Sequence, residues 1–156
     1  EDKIPLARKL IRLAKTKRVS LLLPLDSINA DSFNNNAKIL ESDIINIADN
    51  YMGLDIGKNS IKLFSKEIID SKTIIWNGPM GVFEMENFER GTKEIAQAIC
   101  LATEKGAFSL VGGGDSVAAI KKFGYQKKVS YLSTGGGAML QYLEGKLLPG
   151  VIAIEG

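Results

Sequence analysis

Two glycine triplets, each with polar neighbours, are the first sign of chemistry in this sequence. Gly112-Gly113-Gly114-Asp115-Ser116 follows the apolar run Phe108–Val111, and Ser133-Thr134-Gly135-Gly136-Gly137 follows Val129–Leu132. Each leads into a stretch with helical patterning. Glycine lets a backbone approach a ligand closely and adopt positive φ. The first turn of the helix that follows exposes unpaired N–H groups and the positive end of the helix dipole. A phosphate or acyl phosphate fits that geometry. One triplet alone reads equally well as a tight turn, whereas two in the same strand-to-helix context favour an anion site.

Two further places carry small or unusual residues at the ends of apolar runs: Gly53 to Gly57, and Asn77-Gly78-Pro79-Met80-Gly81. In open α/β sheets, ligands bind outside the carboxyl ends of the strands, so all four places are candidates. Asp115 reads first as the N-cap of the helix that starts at Ser116. A carboxylate beside a phosphate cradle also needs a cation between them, and Mg2+ bridges such groups, often through water. Glu84 is either a solvated loop acid or an acceptor for sugar hydroxyls. Met52, Leu54, Val82 and Phe83 could supply apolar faces for a base or could be core. Asn77 is a turn residue that could also donate to phosphate. Trp76 continues an apolar run and reads as core. Lys121-Lys122 and Lys127-Lys128 read as solvated faces.

Several chemistries are absent from the sequence. There is no histidine, so a Ser-His-Asp triad and a histidine-ligated zinc site are both excluded within these residues. The Gly-x-x-x-x-Gly-Lys-Ser/Thr phosphate loop, the Gly-x-Gly-x-x-Gly fingerprint and the protein-kinase motif set are also missing. A catalytic lysine cannot be picked out by spacing. The single cysteine, Cys100, lies in an apolar run and reads as a small buried hydrophobe. With 20 basic and 18 acidic side chains, the net charge of +2 gives no broad field for nucleic acid or a membrane surface.

The elements that must position these residues follow from periodicity. Ile4, Ala7, Leu10, Ile11 and Ala14 predict a helix over 3–16, with Pro5 in its first turn. Val19–Leu23 predicts a strand that Pro24 ends. Residues 25–36 read as loop, and 37–40 as a short edge strand. Strands are predicted over 54–56, 73–76, 108–111 and 129–132. Helices are predicted over 60–69 (capped by Asn59 or Ser60), 92–104 (closed by Gly106), from 116 to about 122, and from the last triplet to Leu143. Val151–Ile154 is a last apolar stretch. The alternation predicts an α/β fold, a Rossmann-like and mostly parallel sheet with helices on both faces. Its 156 residues suffice for one domain with a core. Because the chain opens on Glu1 with a helical pattern already running, it is expected to be a piece of a longer polypeptide, truncated on the N-terminal side of the sheet.

Four segments, in order and at compatible spacing, resemble the phosphoglycerate kinase family: Met52-Gly53-Leu54-Asp55-Ile56-Gly57, Thr73 through Glu84, Val111 through Ser116, and Leu132 through Ala138. The resemblance spans nearly the whole chain and implies the carboxy-terminal, nucleotide-binding lobe of such an enzyme, incomplete. Residues 1–156 would then be a partial nucleotide-binding domain, with the glycerate-binding domain outside them. The implied reaction moves a phosphoryl group between 1,3-bisphosphoglycerate and MgADP, giving 3-phosphoglycerate and MgATP. By resemblance, Gly53 and Leu54 line the adenine pocket, Asn77 and Pro79 lie along the nucleotide, and Glu84 meets the ribose. Gly112, Gly113, Gly114, Asp115 and Ser116 surround the phosphates, with Asp115 near Mg2+. Gly135, Gly136 and Gly137, together with Gly113, face the transferring group. Ser116 stands where the family usually has threonine, which keeps the hydroxyl. The family segment whose lysine contacts the transferring phosphate is not among these residues. The isolated piece is therefore expected to be inactive, with a non-catalytic nucleotide module or a purely structural fragment as the alternatives. A cytoplasmic location, a monomeric parent, and no nucleic-acid or membrane partner complete the expectation.

Overall fold

A computed structural model describes residues 2–155. The chain opens with helix α1 (Ile4–Lys17), which Pro5 enters in its first turn and which ends at Arg18 in the left-handed region (φ 56°). The predicted strand over 19–23 does not form. Val19, Leu21, Leu22 and Leu23 are exposed and irregular, and among the described residues no strand pairs with them. Apolar character alone does not make a strand, because its backbone groups need a ladder.

The first strand comes immediately afterwards, in the segment read as loop: β1 (Asp26–Ala30) is almost fully buried. It is the centre of an antiparallel sheet of order β2-β1-β3, with β2 at Ile39–Asp43 and β3 at Met52–Ile56. The expected edge strand over 37–40 thus lies two to three residues further on. Asp26, Ser27 and Asn29 look like turn residues because they are polar, but each has partners within the fold. Asn29 Nδ2 donates to the Leu40 carbonyl (3.0 Å) and to Ser42 Oγ (2.9 Å), stitching β1 to β2.

The second sheet is parallel, of order β4-β5-β6, with β4 at Thr73–Asn77, β5 at Phe108–Gly112 and β6 at Tyr131–Ser133. Helices α2 (Lys58–Ile69), α3 (Arg90–Glu104), α4 (Gly114–Lys122) and α5 (Gly136–Leu143) alternate with the strands, and the apolar stretch near the end is a short helix, α6 (Pro149–Glu155). This is the α/β arrangement the patterning predicts, a parallel sheet flanked by helices, to which the antiparallel sheet is added. The core runs through Ile74, Trp76, Ile95, Ile99, Val111, Val117 and Ile120, with Ile61, Phe64 and Ile68 of α2 packed against it. Cys100 is buried as expected. No helix among the described residues is long and apolar enough to cross a membrane.

The cap of α2 differs from expectation. Its N-cap is Gly57, and neither Asn59 nor Ser60 supplies a capping side chain. Asp26 of β1 does this from outside, accepting from the N–H of Asn59 (2.9 Å), the N–H of Ser60 (2.8 Å) and the Ser60 hydroxyl (2.6 Å). A β-carbon on Gly57 would strike this carboxylate, so glycine is what lets Asp26 sit over the helix end. Burial raises the proton affinity of the Asp26 carboxyl, but the bonds from Ser60 and Asn59 outweigh it and hold the group below its ordinary value. Asp26→Ala is expected to destabilise the fold by about 1–2 kcal/mol, the range for losing a helix cap. The loss should be present at neutral pH and shrink as pH falls through the depressed value. Urea denaturation of both proteins from pH 7 down to pH 3 measures it.

Candidate functional site at the strand tips

Residues Asn77, Gly112 and Ser133 form one rung across the parallel sheet, since Asn77 pairs with Gly112 and Gly112 with Ser133. All three strands therefore end level, and the three turns that follow leave the sheet on the same side. Gly113, at φ +91°, turns the chain from β5 into α4 and is that helix's N-cap. Gly135 holds the equivalent position before α5.

The turns are in direct contact. A β-carbon on Gly136 would lie 2.5 Å from both the Cα and the N of Gly113, and 3.4 Å from Asn77 Oδ1; one on Gly113 would lie 2.7 Å from that same oxygen. A β-carbon on Gly112 would meet the end of the Met139 side chain. Gly114, Gly135 and Gly137 face open space. The two triplets thus build a floor of backbone that is open over Gly114, Gly135 and Gly137. Two helix N-termini converge on that floor, an arrangement suited to an anion.

Ser116 is fully buried beneath this floor, and its hydroxyl accepts the Gly78 N–H at 2.7 Å. Asp115 is not the cap that its position suggested. It lies exposed in the first turn of α4 and makes no capping bond. Among the described residues no group of three or more acidic, cysteine or histidine side chains could hold a metal ion. A divalent ion here would share Asp115 with phosphate oxygens and water, the ligand set Mg2+ favours. The open space over the glycines leaves room for such a group.

A second set of expected residues gathers elsewhere. Gly53, Leu54 and Pro79 line a cavity of about 520 Å³ with Ser27, Ile44, Ile47 and Val82. Leu54 is also core, packed with Ala30 and Phe88. Glu84 belongs to neither set. It is exposed, two residues beyond Val82.

The chain from Asn77 to Glu84 connects the two places, held by three side chains, those of Ser116, Thr92 and Lys122, and by the Leu54 backbone. Thr92 Oγ1 accepts the N–H groups of Met80 and Gly81, each at 3.1 Å. The Val82 N–H donates to the Leu54 carbonyl at 2.9 Å. Asp55, buried behind Gly81, accepts from the N–H of Gly91 at 2.7 Å and caps α3. Lys122, exposed as the sequence suggested, also donates to the Phe83 carbonyl at 2.6 Å and pairs with Glu89 at 2.6 Å. Asp55, Thr92 and Lys122 escaped sequence reasoning. The one available signal was Gly91-Thr92 at a helix start, a small residue and a hydroxyl where close approach is needed.

The Asp55 carboxyl is pushed up to about 6, chiefly by burial, against the opposing pull of the Gly91 and Ile56 N–H bonds and of Arg90. The folded chain therefore holds more protons than the unfolded chain between about pH 4 and 6, and stability falls as pH rises through that window.

The family model described as phosphoglycerate kinase matches residues 1–146. The phosphoglycerate kinase of Porphyromonas gingivalis is 54% identical over 156 residues, covering 100% of this chain and 37% of that protein. That of Acaryochloris marina is 53% identical over 155 residues, covering 99% of this chain and 39% of its own length. The solved phosphoglycerate kinase of Coxiella burnetii superimposes with a TM-score of 0.89 at 42% identity, over 94% of this chain and 38% of that one. The chain thus spans well under half the length of the relatives it matches.

Two outcomes follow from the site's construction. Gly136→Ala should cost about 1–3 kcal/mol, the usual range for overpacking, because its new methyl meets rigid backbone. Gly137→Ala, which meets open space, should leave stability within about 1 kcal/mol of the parent; urea denaturation distinguishes the two. For Asp55→Asn, the stability difference from wild type should change by on the order of 2 kcal/mol between pH 4 and pH 7, with wild type losing ground as pH rises. A difference that stays flat over that range would contradict the raised Asp55 value.

Proposed function

The chain belongs to the phosphoglycerate kinase family, and from that premise we propose that residues 1–156 form most of the nucleotide-binding lobe of such an enzyme. The lobe that holds the glycerate lies outside them. The reaction is phosphoryl transfer between 1,3-bisphosphoglycerate and MgADP, giving 3-phosphoglycerate and MgATP. The observation that carries this reading is the contact of Gly136 with the Gly113 backbone beside Asn77. It supports a single anion site built from three strand tips.

In this reading the adenine enters the cavity lined by Gly53, Leu54 and Pro79. The diphosphate extends along Asn77 to the floor of Gly112, Gly113 and Gly114, and Glu84 accepts from ribose hydroxyls. The N–H groups at the start of α4 and α5, around Gly113 and Gly135–Gly137, point at the phosphoryl group in transfer. Fixed donors of this kind stabilise charge spread over equatorial oxygens without reorganising. Ser116 acts from beneath, holding Gly78 in place through its hydroxyl. Asp115 would hold Mg2+, which when bound neutralises part of the phosphate charge. No residue here has to remove a proton, because the nucleophile is an already ionised phosphate oxygen, so the lack of histidine is no obstacle. Closure of the two lobes would exclude water as a competing acceptor.

The isolated 156 residues are proposed to lack turnover, since the acyl phosphate would have no lobe to hold it. We propose a cytoplasmic location and a monomeric parent; one relative, from Volvox carteri, is named chloroplastic. Asp115→Asn in the full-length protein tests the metal role. Its affinity for MgADP, measured by calorimetry, should fall at least tenfold, about 1.4 kcal/mol, while affinity for ADP in EDTA stays near wild type. Equal losses with and without Mg2+ would remove Asp115 from the metal. Nucleotide binding without turnover in the full-length protein would instead favour a non-catalytic nucleotide module.

A further inference from the structure

Helix α4 grips the segment between β4 and α3 at two points. Near its N-terminus, the Ser116 hydroxyl holds the Gly78 N–H. At its last residue, Lys122 Nζ donates to the Phe83 carbonyl at 2.6 Å and pairs with Glu89 Oε2 at 2.6 Å. Ser116 and Lys122 are six positions apart, a rise of about 9 Å along a helix. One rigid element thus spaces the start of the segment from its end.

The Phe83 carbonyl has a particular consequence. It belongs to the planar peptide unit whose nitrogen is that of Glu84. Holding this oxygen restrains the tilt of that plane, in which the Glu84 Cα also lies. The upstream restraints end at Val82, whose N–H is held by Leu54, with Phe83 closing a tight turn onto the Gly81 carbonyl. Phe83 itself is anchored in the core. Glu84, by contrast, is exposed, so its own side chain contributes little to its placement. The Lys122 side chain is only 36% exposed and that of Glu89 only 19%. The pair is therefore more shielded than an open surface ion pair, and its geometry is better held.

We infer that Lys122 is a positioning residue for the nucleotide site: through the Phe83 carbonyl it sets where Glu84 stands relative to the glycine floor at the other end of α4. This rests on the reading of Glu84 as the ribose acceptor. Lys122 touches no reacting atom. It converts the orientation of α4, whose first turn carries the phosphate donors, into the position of the residue that meets the sugar. The spacing between phosphate and sugar contacts is then a property of one helix.

The test uses the full-length protein and two probes, ADP and inorganic pyrophosphate, with Lys122→Met, Glu84→Ala and the double variant. Glu84→Ala and Lys122→Met should each weaken ADP binding about tenfold and leave pyrophosphate unchanged. The double variant should bind ADP about as well as Glu84→Ala alone, because Lys122 acts through Glu84. Lys122→Arg, which keeps a charged donor, should recover most of the affinity. If Lys122→Met does not fold, Lys122→Gln takes its place with the same expected pattern. Wild-type ADP affinity in Lys122→Met, with Glu84→Ala impaired, would overturn the inference alone. So would losses that multiply in the double variant, or a parallel loss of pyrophosphate binding, which would mark a general weakening of α4. Wild-type ADP affinity in Glu84→Ala would overturn the reading of Glu84, and the inference with it.

Discussion

The level ending of β4, β5 and β6 on one rung is the constraint from which the site follows. Parallel pairing sends the three following turns out on the same side. Ending the strands on one rung brings those turns to the same height, so they must pack against one another. Only residues without a β-carbon allow backbone to lie on backbone as Gly136 does on Gly113. Glycine there answers two demands at once: it permits the packing, and it leaves the helix N-termini uncovered. The conformational entropy glycine costs is offset by the rigidity of the sheet behind it.

Around this floor the fold places carboxylates and hydroxyls where helices begin. Asp26 reaches from β1 to α2, and Asp55 reaches from β3 to α3. These two bonds dock the antiparallel sheet onto the helical layer without a continuous strand ladder between the sheets. They differ electrically. Asp26 has enough donors to lie below its ordinary value, whereas burial dominates at Asp55. The segment from Asn77 to Glu84 is then held from several sides, by Ser116, Thr92, Leu54 and Lys122. An irregular segment kept in one conformation by scattered polar contacts is what a site needs if it is to present groups without reorganising.

Much of this was legible in the sequence because apolar periodicity and glycine punctuation are local signals. The strands over 54–56, 73–76 and 108–111, and the helices between them, needed no distant partner to be recognised. Most of the failures were long-range. Val19–Leu23 has a strand's composition, but a strand also needs a neighbour. Asp26–Ala30 has a turn's composition, yet its polar side chains are consumed by Ser60, Asn59, Leu40 and Ser42. Lys122 is exposed, as a solvated pair implies, but its partners, Phe83 and Glu89, lie more than thirty residues away in sequence and were missed. Asp115 looked like a cap because the apolar pattern starts just after it, but α4 begins earlier, at Gly114. The glycine clusters were visible one by one, but their contact with each other was not.

We propose that the tips of β5 and β6 act as one anion-binding surface. The most direct measurement is the backbone amide NMR spectrum of the full-length protein during titration with MgADP. Amides of residues 113–116 and 135–137 are expected to shift together, with one shared saturation curve. Shifts confined to one of the two turns, or absent from both while MgADP binds elsewhere, would contradict it.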